Sequence, residues 1–420
     1  MRRERRAVLP LQRVARRPRA AHAVRSFPVP RSHPGDLPLK LFLRLLAAGA
    51  LAASAAVAAA ADLKVGLVTS LSGPTSSIGI PYSKGMQAAL AYRPEIAGRK
   101  VQLIVLDDAS DPTTAARNAR KLVEEDKVDI LMGSSGVPST MAVVGVGRES
   151  KTPMIALTPI GLAGAEGAYV VTVAQPTTLM VNAVIDKMKQ ANVKTVAYIG
   201  FSDAWGDLVY DALMKGTEGT GIKVVTNERY ARPDTSVSGQ VLKIIAARPD
   251  AVMTGGSGTP GALPYIALNE RGYKGGIYGN HGLINPDFVR VAGDSANGLV
   301  SSTGPVVVAE QLPAGNPIRK MAEEFRASYL KVNGTPSTDA FSAYAFDAWM
   351  VFADSATRVG NKAEPGTPAY RTALHEAIVS TKEVTGTHGV YNYKPDSRYG
   401  QDERARVVVR LDKGKWVLVP

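Results

Sequence analysis

The chain has 420 residues, of which 45% are hydrophobic and 6% aromatic, with 50 Lys and Arg against 37 Asp and Glu. This length and apolar content can fill two ordinary domain cores, which excludes a single small domain. The chain contains no cysteine, which excludes a disulfide scaffold, a thiolate zinc site, an iron–sulfur cluster and a cysteine nucleophile.

The net charge of +13 is concentrated at the amino terminus, where many arginines face only Glu4 and Asp36 within the first 61 residues. The rest of the chain is nearly neutral, and a nearly neutral body offers no broad surface for neutralising phosphates. We therefore expect no nucleic-acid partner.

Residues 1–61 are predicted to be a basic extension followed by a cleaved signal peptide. Lys40 and Arg44 precede an alanine-rich apolar run that ends at Ala61, which is typical of a secretory signal with cleavage after that residue. An uncleaved membrane anchor is the alternative, although the run is short and weakly hydrophobic for a span. Residues 1–38 fit no usual export signal. They indicate either a start codon assigned too far upstream or a disordered extension.

From Asp62 onward, short apolar runs alternate with longer segments of helical period, which predicts a parallel α/β architecture. Asp111 is the expected N-cap of one helix, with Pro112 at its first position. The first set comprises strands 64–69, 101–106, 128–132 and 153–157, with helices at 80–92 and 112–125.

A second set repeats the same architecture, and the chain then changes character. Its strands are predicted at 195–200, 222–225, 251–254, 276–278 and 299–302, with helices near 205–218, 235–247 and 260–271. After Pro305, helices are expected at about 316–331, 338–358 and 369–380, followed by a hairpin of strands 405–411 and 416–419. Two doubly wound domains joined by several crossings follow from this order.

Open parallel sheets bind ligands beyond the carboxyl ends of their strands. The loops expected there, at residues 70–79, 133–140 and 158–161, are rich in hydroxyl groups and glycine. Hydroxyls and free backbone amides at helix starts can hold a carboxylate without a cationic side chain. Simple helix capping is the alternative for any single serine.

Four motifs occur in order along the chain: Lys64 to Pro74, Asp107 to Pro112, Gly200 to Gly206, and Asn280-His281-Gly282. Together they resemble the periplasmic solute-binding proteins of the leucine/isoleucine/valine-binding type, which deliver solutes to ABC importers. The resemblance covers residues 62–420. It implies two Rossmann-like lobes, joined by a three-strand hinge, that close on a ligand in the cleft between them. Lobe 1 would comprise 62–180 and 305–386, and lobe 2 would comprise 181–304 and 387–420.

The resemblance also implies a ligand-binding residue set drawn from both lobes. For single members other roles stay open, since His281 could be a hydrogen-bonded structural residue and Trp205 a core residue. The implied residues are Ile78, Ser135, Gly136, Val137, Thr158, Pro159, Ile160 and Phe341 in lobe 1, and Asp203, Trp205, Ser257 and His281 in lobe 2.

Departures from the family pattern bear on the ligand. Amino-acid binders of this type place an acidic residue in the turn that holds His281 here, and an imidazole, neutral or positive, cannot replace that counter-ion of the ligand ammonium. Ile78 stands at an aromatic position, and Val137 stands where a serine commonly touches the ligand carboxylate. We therefore expect a carboxylic acid without an amine, an aromatic or other organic acid, with Trp205 and Phe341 flanking an aromatic ring. Asp203 is the main objection, because it could serve an amine from another direction.

No arrangement of residues supports catalysis. The five histidines form no His-x-x-x-His pair, no Gly-x-Ser-x-Gly elbow occurs, and the glycine-rich stretch 255–261 lacks the lysine of a phosphate loop. Asp107, Asp108 and Asp111 could suggest a metal, but capping and backbone bonding explain them. We expect a periplasmic monomer that is not an enzyme, needs no cofactor or metal, and has a small carboxylate and ABC permease subunits as partners. Branched-chain or other amino-acid binding and a ligand-sensing domain are the alternatives.

Overall fold

The computed structural model describes residues 61–420, apart from residues 163, 338, 395 and 396. The predicted basic extension and the apolar run of the signal peptide therefore lie outside the described residues. Within the described part, none of the helices has the length and apolar character needed to cross a membrane.

The first sheet has six strands in the order β2-β3-β1-β4-β5-β6. β1 pairs in parallel with both β3 and β4, and β5 and β6 continue the parallel arrangement, so these strands end at one edge. The elements are β1 (Leu63–Thr69), α1 (Ser76–Tyr92), β2 (Glu95–Ile96), β3 (Arg99–Asp107), α2 (Pro112–Glu124), β4 (Ile130–Gly133), α3 (Val137–Glu149), β5 (Met154–Ala156) and β6 (Val170–Thr172). β4, β5 and β6 are buried along their whole length, as strands covered on both faces must be.

A second set of alternating helices and strands follows. Its elements are α4 (Thr177–Gln190), β7 (Thr195–Phe201), α5 (Ala204–Thr217), β8 (Lys223–Tyr230), α6 (Ser238–Ala247), β9 (Ala251–Gly255), α7 (Leu263–Glu270), β10 (Gly276–Tyr278), α8 (Pro286–Ala292) and β11 (Val300–Thr303). β7, β8, β9, β10 and β11 form a parallel array.

The last part of the chain packs helices beside the first sheet, adds two strands to the second and forms a separate two-stranded pair. It contains α9 (Pro317–Asn333), α10 (Phe341–Val359), α11 (Pro368–Val379), β12 (Val384–Thr385), β13 (Val390–Tyr391), β14 (Val407–Asp412) and β15 (Lys415–Val419). α9 and α10 pack on α1, beside the first sheet. β12 pairs with β13, and β14 and β15 extend the second sheet, which has the order β15-β14-β11-β10-β9-β7-β8.

The chain passes between the two sheet regions three times: after β6, after β11 and before β14. These crossings lie side by side. The Gln175 side chain donates to the Ala405 carbonyl at 3.0 Å and lies 3.4 Å from His388 Nδ1, and a Cβ on Gly304 would lie 1.8 Å from that same ring nitrogen. The predicted fold class, two α/β lobes of the type I periplasmic binding protein kind, is confirmed. The residue limits assigned to each lobe stay a prediction.

Most predicted elements occur with ends displaced by a few residues, but two differ more and several were not predicted: β2, β6, α3, α4, α8, β12 and β13. α1 begins four residues earlier than predicted and contains Pro81 in its interior. β8 extends five residues beyond the predicted end at Val225, as an edge strand of alternating exposure. α3 is missing from the predicted elements because its two glycines and several valines are weak helix formers.

Candidate functional site

A cavity lies between the two sheets, where the parallel strands of both present their carboxyl ends. Its volume is about 30 Å³, well below the range of small-molecule sites, so the two walls lie close together in this structure. One wall comes from residues that follow β1, β4, β5 and β6, together with α10. The opposite wall comes from residues that follow β7, β8, β9 and β10. Strand-end loops of two open sheets therefore face one another across the cavity.

Most of the predicted site residues are brought together on these walls. Ten of the twelve line the cavity: Ile78, Ser135, Gly136, Val137, Thr158, Pro159, Trp205, Ser257, His281 and Phe341. Six further residues line it that the sequence did not single out: Tyr82, Leu157, Ala174, Arg232, Gly282 and Tyr344.

Ile160 and Asp203 do not line the cavity. The Ile160 amide donates to the Tyr399 hydroxyl at 3.0 Å, and its carbonyl accepts from the same hydroxyl at 2.8 Å. Asp203 Oδ1 accepts from the amide of Trp205 and so caps α5. Its other oxygen, Oδ2, pairs with Arg232 Nε at 2.6 Å. Asp203 therefore lies behind the cavity wall and is bonded to Arg232, which lines the cavity.

The polar wall of the first lobe is already arranged by the protein itself. The Ser135 hydroxyl lies 2.8 Å from the Thr69 hydroxyl and accepts from the Ser70 amide at 2.9 Å. The Thr158 hydroxyl donates to Thr140 Oγ1 at 2.8 Å. Because these hydroxyls are engaged, the available anion donors here are the amides of Val137 and Ser139 in the first turn of α3, since Pro138 has no N–H and a helix leaves its first amides without intrahelical acceptors.

Asp108 holds the loops behind this wall in place. The Ser70 hydroxyl donates to its Oδ1 at 2.6 Å, the Ser110 amide donates to the same oxygen at 2.9 Å, and Ser134 donates to Oδ2. Asp111 accepts from Thr114 as the N-cap of α2. The prediction of Asp111 as a cap is confirmed. The carboxylates of Asp108 and Asp111 accept hydrogen bonds from backbone amides and, at Asp108, from serine hydroxyls.

Aromatic rings make the middle of the cavity apolar. The Tyr82 hydroxyl donates to the Leu157 carbonyl at 2.7 Å, and Trp205 Nε1 donates to the Gly256 carbonyl at 3.2 Å. The hydroxyl of Tyr344 likewise donates to the side-chain oxygen of Gln175, where the chain crosses between the sheets. With their polar atoms satisfied elsewhere, these rings offer the cavity mainly carbon surface.

The second lobe contributes one cation and one histidine. Arg232 donates to Asp203 and to the Ser257 hydroxyl, the latter at 3.1 Å, and its guanidinium lies 4.2 Å from the centre of the Phe201 ring. His281 is 3% exposed, and neither ring nitrogen has a hydrogen-bond partner among the described residues. Burial lowers the pKa of His281 to about 4, so the ring is neutral at pH 7.

The two lobes touch at the rim of the cavity through α1. The Thr259 amide donates to Ser77 Oγ at 3.1 Å, and Asn285 Nδ2 donates to the Ser77 carbonyl at 3.2 Å. That carbonyl is free because Pro81, four residues on, has no N–H to donate to it. The structure therefore shows the lobes in contact around the cavity.

Comparisons with known proteins agree with this architecture. The family model for periplasmic binding proteins matches residues 62–415. A solved extracellular ligand-binding receptor from Rhodopseudomonas palustris HaA2 is 41% identical, with a TM-score of 0.82, and the match covers 86% of this chain and 100% of that one. The Leu/Ile/Val-binding protein homolog 3 of Brucella melitensis is 26% identical over 80% of this chain and 89% of its own length.

A more distant structure shares the fold alone. A solute-binding protein of an ABC transporter from R. palustris, solved with benzoate, is 21% identical with a TM-score of 0.70, and the match covers 85% of this chain and 95% of that one. The two-sheet fold, the cavity between the sheets and the match over nearly all described residues lead to one conclusion: the chain belongs to the periplasmic binding protein family, whose members bind solutes and are not enzymes.

Proposed function

We propose that this protein is the extracytoplasmic binding component of an ABC importer and that it captures a small carboxylate without an amine, an aromatic or other organic acid. The observation that carries the proposal is the composition of the cavity wall. Among the described residues that line it, none is Asp or Glu, and the polar side chains are outnumbered by aromatic and aliphatic ones.

The ammonium group of an amino acid has no anionic partner in this cavity. The Asp203 carboxylate lies behind the wall and is neutralised by Arg232, whose Nε is 2.6 Å from Asp203 Oδ2. His281 is neutral and carries no negative charge to offer. An ammonium taken out of water without a counter-ion costs several kcal/mol, so an amine disfavours binding here.

A carboxylate, in contrast, meets donors and positive potential. α3 begins on the cavity wall at Gly136 and Val137, and the positive end of its helix dipole favours an anion there. Arg232 adds guanidinium N–H donors on the opposite wall, although Asp203 balances its charge. The rings of Tyr82 and Phe341, packed edge to face at 5.7 Å, offer an apolar surface to the rest of the ligand.

Transport follows from closure around the ligand. A ligand that touches both walls binds the closed arrangement better than the open one, and its differential affinity sets the population of the closed form. The closed form then docks on the membrane permease. Periplasmic residence agrees with the family, and the predicted signal peptide would provide export.

The direct test is calorimetric titration of residues 62–420, refolded from denaturant to remove any bound solute. We expect benzoate, phenylacetate or an aliphatic monocarboxylate to bind with micromolar affinity and leucine, isoleucine and valine not to bind. A ligand at about 100 times its Kd adds about 2.7 kcal/mol to stability, so a thermal-shift screen reads the same result. Micromolar binding of leucine or valine without binding of any acid would refute the proposal.

Tryptophan fluorescence places the binding event. Trp205 lines the cavity, whereas Trp416 lies in β15, at the edge of the second sheet. The ligand-induced change in emission should disappear in Trp205→Phe and persist in Trp416→Phe. The opposite pattern would place the ligand outside this cavity.

Branched-chain amino-acid binding is the second candidate, favoured by the names of the curated relatives. The Brucella melitensis homologue is called a Leu/Ile/Val-binding protein at 26% identity, and a Leu/Ile/Val-binding protein of Escherichia coli is 26% identical over 66% of this chain. The titration described above separates the two candidates, since each predicts binding of the ligands that the other excludes.

A further inference from the structure

One polar side chain on the cavity wall, His281, has no hydrogen-bond partner in the part of the chain that the structure describes. His281 is 3% exposed, and both Nδ1 and Nε2 are buried without a hydrogen bond to any described residue. An unsatisfied buried donor or acceptor destabilises a protein by about 1–3 kcal/mol, and this ring has one of each because it is neutral. Such an arrangement is expected where a ligand supplies the missing partner.

No neighbour of His281 among the described residues supplies that partner. Trp205 meets the imidazole edge to face, with ring centres 5.4 Å apart, and its indole N–H is engaged with the Gly256 carbonyl. The Ser257 hydroxyl and Arg232 are bonded to each other, and Arg232 is paired with Asp203. What faces the ring on its remaining side is the cavity.

The turn that carries His281 is held rigidly. Asn280 Oδ1 accepts from the Gly282 amide at 2.7 Å, and Asn280 Nδ2 donates to the carbonyls of Thr254 at 2.8 Å and Gly256 at 3.0 Å. Asn280 is fully buried. These bonds hold the backbone of His281 at the cavity wall, so a polar ring is a built-in feature of that wall.

We propose that His281 is a specificity-determining contact that hydrogen-bonds a hydroxyl group on the ligand, at the end remote from the ligand carboxylate. This rests on the proposed function, since the carboxylate is placed at the amides of α3 on the first lobe. A hydroxyl matches a neutral imidazole because it both donates and accepts. The ligand class is therefore a hydroxylated organic acid.

The position of His281 on the second lobe gives this contact a role in closure. An acid that lacks the hydroxyl can still bind the first lobe, but closing the second lobe on it leaves the imidazole desolvated and unpaired. A hydroxylated acid bridges the two lobes by polar contacts at both ends. Sites built to bond a ligand hydroxyl reject the analogue without it much more strongly than apolar pockets reject an added group.

The test titrates matched pairs of acids against the wild type and His281→Phe. The pairs are benzoate with its 3- and 4-hydroxy forms, phenylacetate with its 3- and 4-hydroxy forms, and hexanoate with 6-hydroxyhexanoate. The wild type should bind at least one hydroxylated member roughly tenfold or more tightly than its parent acid. In His281→Phe that preference should fall to within about threefold, while the parent acid binds at least as well as before. His375→Phe, a change at a half-buried ring outside the cavity, should keep the wild-type preference.

The outcomes separate this proposal from the function on which it rests. Binding of parent acids by the wild type without any hydroxyl preference would overturn the role of His281 and leave the carboxylate function standing; it would mean that a water fills the place. Preservation of the preference in His281→Phe would overturn it as well. Binding of amino acids alone would overturn both proposals.

Discussion

Acid should weaken this protein through His281, and the effect can be isolated by one substitution. Burial lowers the pKa of His281 from 6.5 to about 4, so the folded state resists a proton that the unfolded chain accepts. Between pH 6.5 and 4 the unfolded state binds more protons at this residue, and the free energy of unfolding falls as the pH falls. The shift corresponds to about 3 kcal/mol.

Other buried groups titrate in the same range, so the comparison must be a difference. The pKa of His388 is lowered to about 3 by burial, which adds to the loss in acid, whereas the pKa of Asp347 is raised to about 6 by burial, which opposes it. Subtracting the unfolding free energy of the wild type from that of His281→Phe cancels the Asp347 term and most of the His388 term, because burial is the main cause of the His388 shift and repulsion from His281 a minor one. Their difference should move by about 3 kcal/mol in favour of the variant between pH 7 and pH 4.

Urea unfolding of the ligand-free protein at half-unit intervals from pH 7 to pH 4 measures this difference. The difference should level off as the pH rises above 6.5, because the ring then becomes neutral in the unfolded state as it already is in the folded state. A difference that does not change with pH would show that His281 takes up its proton as easily in the folded protein as in water, and the reasoning about its burial would be refuted.

Two further predictions concern packing and closure. Gly85→Ala places a Cβ 1.9 Å from the Ser342 carbonyl where α1 meets α10, so chemical unfolding should show that the free energy of unfolding falls by about 1–3 kcal/mol or more. The control, Gly145→Ala in α3, places a Cβ where nothing lies within 4 Å and should instead raise the free energy of unfolding by up to about 1 kcal/mol. Equal effects of the two substitutions would contradict the packing argument. Ser77→Ala removes the hydroxyl that accepts from Thr259 across the lobes and should weaken ligand binding by roughly two- to tenfold in calorimetry, with unchanged affinity as the contrary result.

The architecture and the general position of the cavity could be predicted from the sequence because both follow from strong local patterns. Short apolar runs between helical periods define parallel strands, and topology then brings the strand-end loops to one edge. Asp111 with Pro112 marked a helix start that the structure confirms. Residues in the predicted strand-end loops, such as Ser135 and Thr158, accordingly line one cavity, whereas His281 was included through the family resemblance.

Arg232 was missed for a physical reason. The run after Val225 reads Thr-Asn-Glu-Arg-Tyr, which is polar, and a polar run is a weak strand signal when one face of an edge strand is exposed. β8 nevertheless continues to Tyr230 along the edge of the second sheet. That extension is what carries Arg232 to the carboxyl end and to the cavity. Tyr344 was missed differently, since its place depends on how α10 packs, which no local pattern specifies.

The unexpected proline in α1 shows how a local defect becomes part of closure. Pro81 cannot bond the Ser77 carbonyl, and Asn285 from the second lobe donates to that carbonyl instead. Gly258 lets the lobes approach, since a Cβ there would lie 2.7 Å from Ser77 Oγ. Each of the two bonds to Ser77 contributes only about 0.5–1.5 kcal/mol, which is comparable with the few kcal/mol that separate two conformations of a protein. Contacts this weak hold the lobes together but allow them to separate. Because the next residue, Ile78, lines the cavity, we expect a bound ligand to determine the population of the closed form.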